Sequence, residues 1–375
     1  MLGRRLLPFA LLLAATSGPA LAAKTPANPD LQADRHKALV QYQKDLVSVT
    51  APQADPLPLM GAALLARPLQ DQPDFNSYHA LIDRASAAEG AGPEISWVRL
   101  SDCDAKGDDC PNTDALVKLV QQAPDNAAVW LLKLGQDIRD GKNDDARQDL
   151  AKAASAKAYD DYTGATLKAL ANAVTTLPPP ANVMGPLSAM NGADVQLTLV
   201  FGLAEGQPQP ALQATSRLCE DNADKASVKA DCLKLGKLLE WGSSPLARSL
   251  GLHLREVLAD DPAQQEDAKH LRRNLVWQVQ SFSQLSLRAK GDTAVAQHLL
   301  KLARSGGTQM SLVLTALHDF NMPVDAPSDW DPSKGGLILW MQRKREHRFA
   351  TFVLALAPRP SCRLSPGLDT GAASC

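Results

Sequence analysis

Six cysteines are the most chemically committed residues of this 375-residue chain. They stand at 103, 110, 219, 232, 362 and 375, as three local pairs. An even set grouped this way reads as a disulfide framework formed in an oxidising compartment. The spacing favours Cys103–Cys110, Cys219–Cys232 and Cys362–Cys375. Rings this small are each worth about 2–3 kcal/mol through restricted chain entropy. Zinc is the competing use of such residues, but no pair has the short CxxC-type gap that zinc sites use, so no metal ligand is assigned. Geometry constrains one pair further. The 13-residue separation of Cys219 and Cys232 would cover about 20 Å along one helix, whereas a disulfide needs Cα atoms within about 7 Å. A turn near Lys225–Ala226 must therefore fold the chain back, with Ser227 placed to cap the second helix.

Other residue groups could do chemistry, and each has a plainer use. DCDAKGDDCPNT (102–113) puts Asp102, Asp104, Gly107 and Asp108 where a calcium loop has its positions 1, 3, 6 and 7. Lys106 and Thr113 stand where carboxylates or amides belong, and a Cys103–Cys110 ring would distort the loop, so the stretch reads as an exposed acidic turn. The histidines at 36, 79, 253, 270, 298, 318 and 347 fall in separate elements. No HExxH, GxSxG, phosphate-binding glycine loop or Cys–His motif is present. His253, between Leu252 and Leu254, reads as a packed boundary histidine. No catalytic residue and no cofactor is assigned. The densest basic run, RKREHR, offers Arg343, Lys344, Arg345 and Arg348 to an anionic partner such as lipid headgroups or an acidic protein; its plainer reading is a solvated helix face. Tyr159 and Tyr162 bracket a helix junction, where their rings could line a groove or anchor adjacent hairpins.

The chain opens MLGRRLLPFALLLAATSGPALAA. Arg4 and Arg5 precede an apolar run from Leu6 to Ala15, and Ala20-Leu21-Ala22 fits the small-x-small rule, so residues 1–22 read as an export signal cleaved near Ala22. Paired arginines also suit twin-arginine export; the ordinary route is the simpler reading. The run is too short to stay as an anchor, and no later stretch is apolar for long enough to span a bilayer. Cleavage removes two positive charges and moves the formal net charge from −2 to −4. That mild balance speaks against nucleic-acid binding, which needs a basic surface. A periplasmic or extracellular protein is expected, with another envelope protein as its partner.

The elements that would position these groups are helical. Aromatic residues make up 5% of the chain, and Ala and Leu abound, which favours an all-α fold over sandwiches or barrels. Residues 23–30 form a flexible leader and 31–172 an N-terminal helical-repeat region, in which 31–49, 74–88, 92–100, 112–123 and the segment from 127 carry helical spacing. Asp125 or Asn126 is placed to cap the last of these. Three consecutive prolines, Pro178–Pro180, make 173–193 a linker or long crossing loop. A C-terminal helical region, 194–356, includes a long helix from Pro262 and a hairpin around Gly306-Gly307. Its last stretch, GLILWMQRKREHRFATFVLALA, reads equally as one helix or two strands. Residues 357–375 form a disulfide-tied tail.

Two stretches repeat one pattern: LGQDIRDGKNDDA (134–146) and LGKLLEWGSSPLA (235–247) both run Leu-Gly, five residues, Gly, four residues, Ala. Antiparallel helices approach closest where both partners are small. Gly135 is therefore expected to face Ala146 or its neighbours across the hairpin, and Gly141 to close the turn in the left-handed conformation. Gly236, Ala247 and Gly242 repeat these roles.

The surrounding stretch APDNAAVWLLKLGQDIRDGKNDDARQDLAKAA resembles a tetratricopeptide repeat, a 34-residue helical hairpin with an early aromatic, a Leu-Gly pair and small residues in its second helix. Trp130, Leu134, Gly135 and Ala154 carry the likeness. Trp130 is one residue too far from the Leu-Gly pair, the loop is one residue short, and no proline closes the unit. The resemblance covers about two hairpins. It implies an α-solenoid, a fold whose families mostly bind other proteins. The reading that follows is an exported helical solenoid acting as a protein-binding or scaffolding module. The alternative is a helical envelope hydrolase or lyase with a cleft between the halves on either side of 173–193.

Overall fold

The computed structural model describes residues 29–103, 111–184 and 192–331. The described residues form fifteen α-helices and two single turns of 3-10 helix; no strand occurs among them, and their one extended pairing is an isolated parallel bridge between Asn126 and Ala158. None of these helices is long and apolar enough to cross a membrane. The proposed signal peptide, most of the leader, the basic run and the tail lie outside the described residues.

The N-terminal helices are α1 (Pro29–Thr50), α2 (Pro56–Ala66), α3 (Tyr78–Ala87), α4 (Pro93–Arg99), α5 (Thr113–Gln122), α6 (Ala127–Arg139), α7 (Asn143–Ser155) and α8 (Thr163–Val174). After the proline-rich stretch come α9 (Ala193–Ala204), α10 (Leu212–Asp221), α11 (Ala226–Leu239), α12 (Pro245–Leu258), α13 (Pro262–Arg288), α14 (Thr293–Ser305) and α15 (Gln309–Asp319). Proline opens α2, α4, α12 and α13, where its fixed φ suits the first turn and its missing N–H costs nothing. Side chains of Ser77, Asn112, Asn126, Asp261 and Asp292 accept from first-turn N–H groups, and Thr308 with Ser311 forms a reciprocal capping box at α15.

Consecutive helices pack as hairpins, side by side, as in a helical solenoid. The apolar faces of these hairpins meet in two main cores. One gathers α1–α4, α8, α9, α14 and the ends of α13 and α15, around Leu46, Met60, Leu64, Ile82, Leu170, Val200 and Leu299. The other gathers the Trp97 side of α4, α5–α7 and α10–α12, around Trp97, Leu119, Leu131, Leu150, Leu235 and Leu254. A small third cluster, Leu252, Leu275 and Met310, joins α12, α13 and α15. Each main core takes helices from both sides of 173–193.

The stretch 173–193 itself is tied down where it is described. Residues 173 and 174 finish α8, and 193 opens α9. Tyr42 of α1 donates to the carbonyls of Val174 (3.1 Å) and Leu177 (2.9 Å), and Gln196 of α9 donates to the same two carbonyls. Two side chains thus satisfy the orphan acceptors that a helix end leaves.

The repeated glycines behave differently in their two copies. Gly141 is left-handed (φ 74°) and closes the α6–α7 turn as expected. Gly135 does not face Ala146. It shares a helix face with Leu131, and a Cβ there would fall 2.5 Å from the Cβ of Ala211 at the start of α10. The Ala211 N–H donates to the Leu131 carbonyl (3.3 Å), an approach that only a bare α-carbon at 135 allows. Gly236 does meet its hairpin partner, but opposite Gly251 rather than Ala247. Gly242 is not left-handed; its missing side chain makes room for Ala247 Cβ and the Tyr159 ring.

Candidate functional site

The α6–α7 hairpin carries a charged cluster of a kind that can move protons. Lys133 and Asp137 stand four residues apart on α6, so they share one face, and the antiparallel return of α7 brings Asp149 onto it. The Lys133 Nζ donates to Asp137 Oδ2 (2.7 Å) and Asp149 Oδ2 (2.9 Å). Lys152 approaches the other Asp149 oxygen (3.5 Å) and lies over the Trp130 ring. Burial pushes the Asp149 carboxyl up, and its Lys133 partner only partly offsets this. For Asp137 burial acts in the same direction, but hydrogen bonds from Lys133 and Asp149 outweigh it and hold the group below the usual carboxylate range. Carboxyls poised apart are the pattern of an acid–base pair. Access decides against catalysis here: the side chains of Asp137 and Asp149 are 8% and 1% exposed. The cluster clamps the hairpin. Its 133/137 spacing was visible in the sequence; the arrival of Asp149 needed the fold.

The second polar assembly is the junction around Tyr159–Tyr162. Asn126 caps α6 through Ala128 N–H (3.1 Å), accepts from Asp160 N–H (2.9 Å), and donates to the Asp160 carbonyl (2.7 Å) and Tyr162 Oη (3.2 Å). Ser243, in the α11–α12 turn, donates to Asp161 Oδ1 and accepts from Asp161 N–H. Its N–H donates to the Tyr159 carbonyl, and its own carbonyl accepts from Met310 N–H of α15 (2.9 Å). Tyr162 takes the left-handed conformation (φ 53°), which turns its ring edge-on to Trp97 at 5.4 Å. Segments far apart in sequence, at 126, 159–163, 243 and 310, are thereby knotted together.

Burial raises the Asp160 carboxyl, the Tyr162 N–H partly offsets this, and the neighbouring Asp161 and Glu94 charges add to the rise. Burial also raises the Tyr159 phenol, with the Asp161 charge adding to it. Tyr159 is 5% exposed; its Oη lies buried beside Ser244 Oγ, and neither forms a hydrogen bond among the described residues. Of the two uses open to Tyr159 and Tyr162, the packing matches the anchor, with Tyr159 buried and Tyr162 half-buried. Their rings are packed between hairpins, because the Asn126–Asp160 and Ser243–Asp161 bonds pull the segment inward.

The remaining sequence candidates are dispersed. Cys219 and Cys232 are bonded, both fully buried, with Cα atoms 5.8 Å apart across the α10–α11 turn. The turn lies where geometry required, but Lys225 rather than Ser227 occupies the cap position, since the helix already starts at Ala226. Cys110, Cys362, Cys375, Arg343, Lys344, Arg345 and Arg348 lie outside the described residues, as do Asp104, Gly107 and Asp108 of the calcium-like loop. Asp102 meets His79 (2.9 Å). His253 is half-buried and bonded to Glu220 (2.9 Å), and His298 is bonded to Asp319 (2.8 Å). Among the described residues no cluster of His, Cys, Asp or Glu has a metal-holding arrangement.

One surface feature escaped sequence reading. Trp241, in the α11–α12 turn, is 80% exposed, and Leu246, in the first turn of α12, is 56% exposed. A stripe of Leu246, Leu250, Leu254 and Leu258 looks uniform in sequence, yet only the last three are buried. No family model matches the chain, and no curated protein or solved structure matches it.

Proposed function

We propose that this chain is an exported helical-repeat protein that binds or scaffolds another protein of the cell envelope. The carrying observation is the α11–α12 hairpin tip, whose turn holds an exposed tryptophan, Trp241, and is followed by an exposed leucine, Leu246, in the first turn of α12. Large exposed aromatics are the residues that most often anchor protein interfaces. The turn is held firmly from behind: Ser243 is bonded to Asp161, Tyr159 and Met310, and Arg248 Nε donates to the Gly242 carbonyl (2.9 Å). A preorganised tip loses little entropy on binding. The stacked hairpins, the tetratricopeptide-like spacing and the buried disulfide support the same reading.

The test is photo-crosslinking in the envelope, with a photoreactive amino acid in place of Trp241 and another at exposed Val117 on α5 as control. Recovery of one defined partner from position 241 alone is expected. Absence of any partner, together with turnover of a cell-wall or peptide substrate by the purified chain, would replace this reading by the hydrolase or lyase alternative.

A further inference from the structure

A second surface carries a different chemistry. Where α9 and α14 meet, an open cleft of about 230 Å³ is lined by Ala193, Gln196, Gln297, Leu300, Lys301 and Arg304. Its polar lining is one-sided: two cations, two amides and no carboxylate. Neither Lys301 nor Arg304 has an ion-pair partner among the described residues, so no carboxylate already neutralises the cleft's two cations. Asp194 is the one acid in the first turn of α9; it is buried and is not part of the lining.

The guanidinium of Arg304 is also held in a particular way. Its Nε donates to Asn172 Oδ1 of α8 (3.3 Å), while its two Nη atoms have no partner among the described residues. An arginine anchored at one nitrogen, with its terminal pair free, is preorganised for two parallel hydrogen bonds to an oxyanion. Lys301 lies one turn earlier on the same face of α14, so its ammonium can serve the same ligand. Gln196 is buried, with its Nε2 spent on the Val174 and Leu177 carbonyls, which fixes one wall of the cleft.

We propose that this cleft binds an oxyanion, a carboxylate or a phosphate, with Arg304 as the fork and Lys301 as the second charge. The proposal goes beyond the scaffold reading and stands independently of the Trp241 tip.

The experiment is calorimetric titration of the full mature chain at low ionic strength with two probes, inorganic phosphate and a hexaglutamate peptide. The variants are Lys301→Ala/Arg304→Ala, Arg304→Lys, and a charge-matched control, Lys234→Ala/Lys290→Ala, at exposed positions elsewhere. All four replaced side chains are exposed, and melting curves check that each variant folds. The double cleft variant is expected to weaken binding at least about tenfold, Arg304→Lys to weaken it less, and the control to match wild type. If both probes respond, a free oxyanion suffices; if the peptide alone responds, the source is an acidic chain segment. Either result upholds the site. Equal binding by wild type and the double cleft variant, or no binding of either probe to wild type, overturns it.

Discussion

Asn126→Ala tests the knot that joins the two main cores. One side chain there makes four hydrogen bonds, to Ala128 N–H, Asp160 N–H, the Asp160 carbonyl and Tyr162 Oη. Losing the cap costs about 1 kcal/mol. The Asp160 N–H and carbonyl are then left without their partner in a buried setting, at about 1 kcal/mol each or more. The expected loss is therefore about 3 kcal/mol, a large share of the roughly 5–15 kcal/mol that holds a typical domain together. Unfolding entropy of about 2 cal/mol/K per residue, over the roughly 300 described residues, converts this to a melting point about 5 °C lower. Circular dichroism melts and urea titration of wild type, Asn126→Ala and Tyr162→Phe measure it. Tyr162→Phe removes only the 3.2 Å bond to Asn126 and should cost about 1 kcal/mol or less. If Asn126→Ala melts within about 1 °C of wild type, water replaces all four bonds and the junction is not what ties the cores.

Four further outcomes rest on the same packing. Gly251→Ala should destabilise by about 1–3 kcal/mol, since its Cβ would fall 2.6 Å from Glu240 N and Gly236 O; Gly236→Ala, with 3.2 Å to its nearest atoms, should cost less, and a reversed order in urea midpoints would refute the close crossing. Joint replacement of Cys219 and Cys232 by alanine should cost about 3 kcal/mol from loop entropy, whereas an unchanged midpoint under reducing conditions would mean the bridge adds nothing. Tyr42→Phe should cost about 1 kcal/mol because the Val174 and Leu177 carbonyls lose one of two donors and keep Gln196, while Tyr159→Phe should be near neutral because its Oη makes no well-formed hydrogen bond among the described residues; the two midpoints compared side by side decide it.

The fourth concerns pH. A raised carboxyl such as Asp149 binds its proton more tightly when folded, so its contribution to stability grows as pH falls through that raised value and is a cost at neutral pH. Asp137, held low, stabilises above the unfolded carboxylate range and loses that contribution only as pH drops through its depressed value. Asp149→Asn mimics the protonated form, so its stability relative to wild type should be better at pH 7 than near the carboxylate range. Denaturant midpoints that differ equally at both pH values would refute the assignment.

The helical class was legible because most helices are amphipathic and announce themselves by period. Caps and prolines marked many boundaries, including Asn126, Pro262 and the turn between Cys219 and Cys232. Helix α2 was not legible for the opposite reason. Every residue from Leu59 to Ala66 is buried, so no polar face sets a period, and PLPLMGAALLA reads as plain apolar composition. The polar sites were less accessible still. Lys133 and Asp137 are local, but Asp149 joins them through a turn. The knot at Asn126, Asp161 and Ser243 combines segments whose partners no local spacing announces, and YDDY alone was open to both groove and anchor. Gly135 was misassigned because a bare α-carbon says that something comes close, not which neighbour does.

The way the first core is assembled also sets the order in which the chain can finish folding. Helices α1–α4 and α8 share that core with α14, which begins more than a hundred residues after α8 ends. Until that late helix is made, the face of α8 that carries Lys168 and Asn172 stays open to water. Such distant closure slows folding and leaves a sticky intermediate in the interval. A newborn chain of this design needs either rapid completion or a holder for its unfinished side, and shortened versions that stop before residue 293 should aggregate rather than fold.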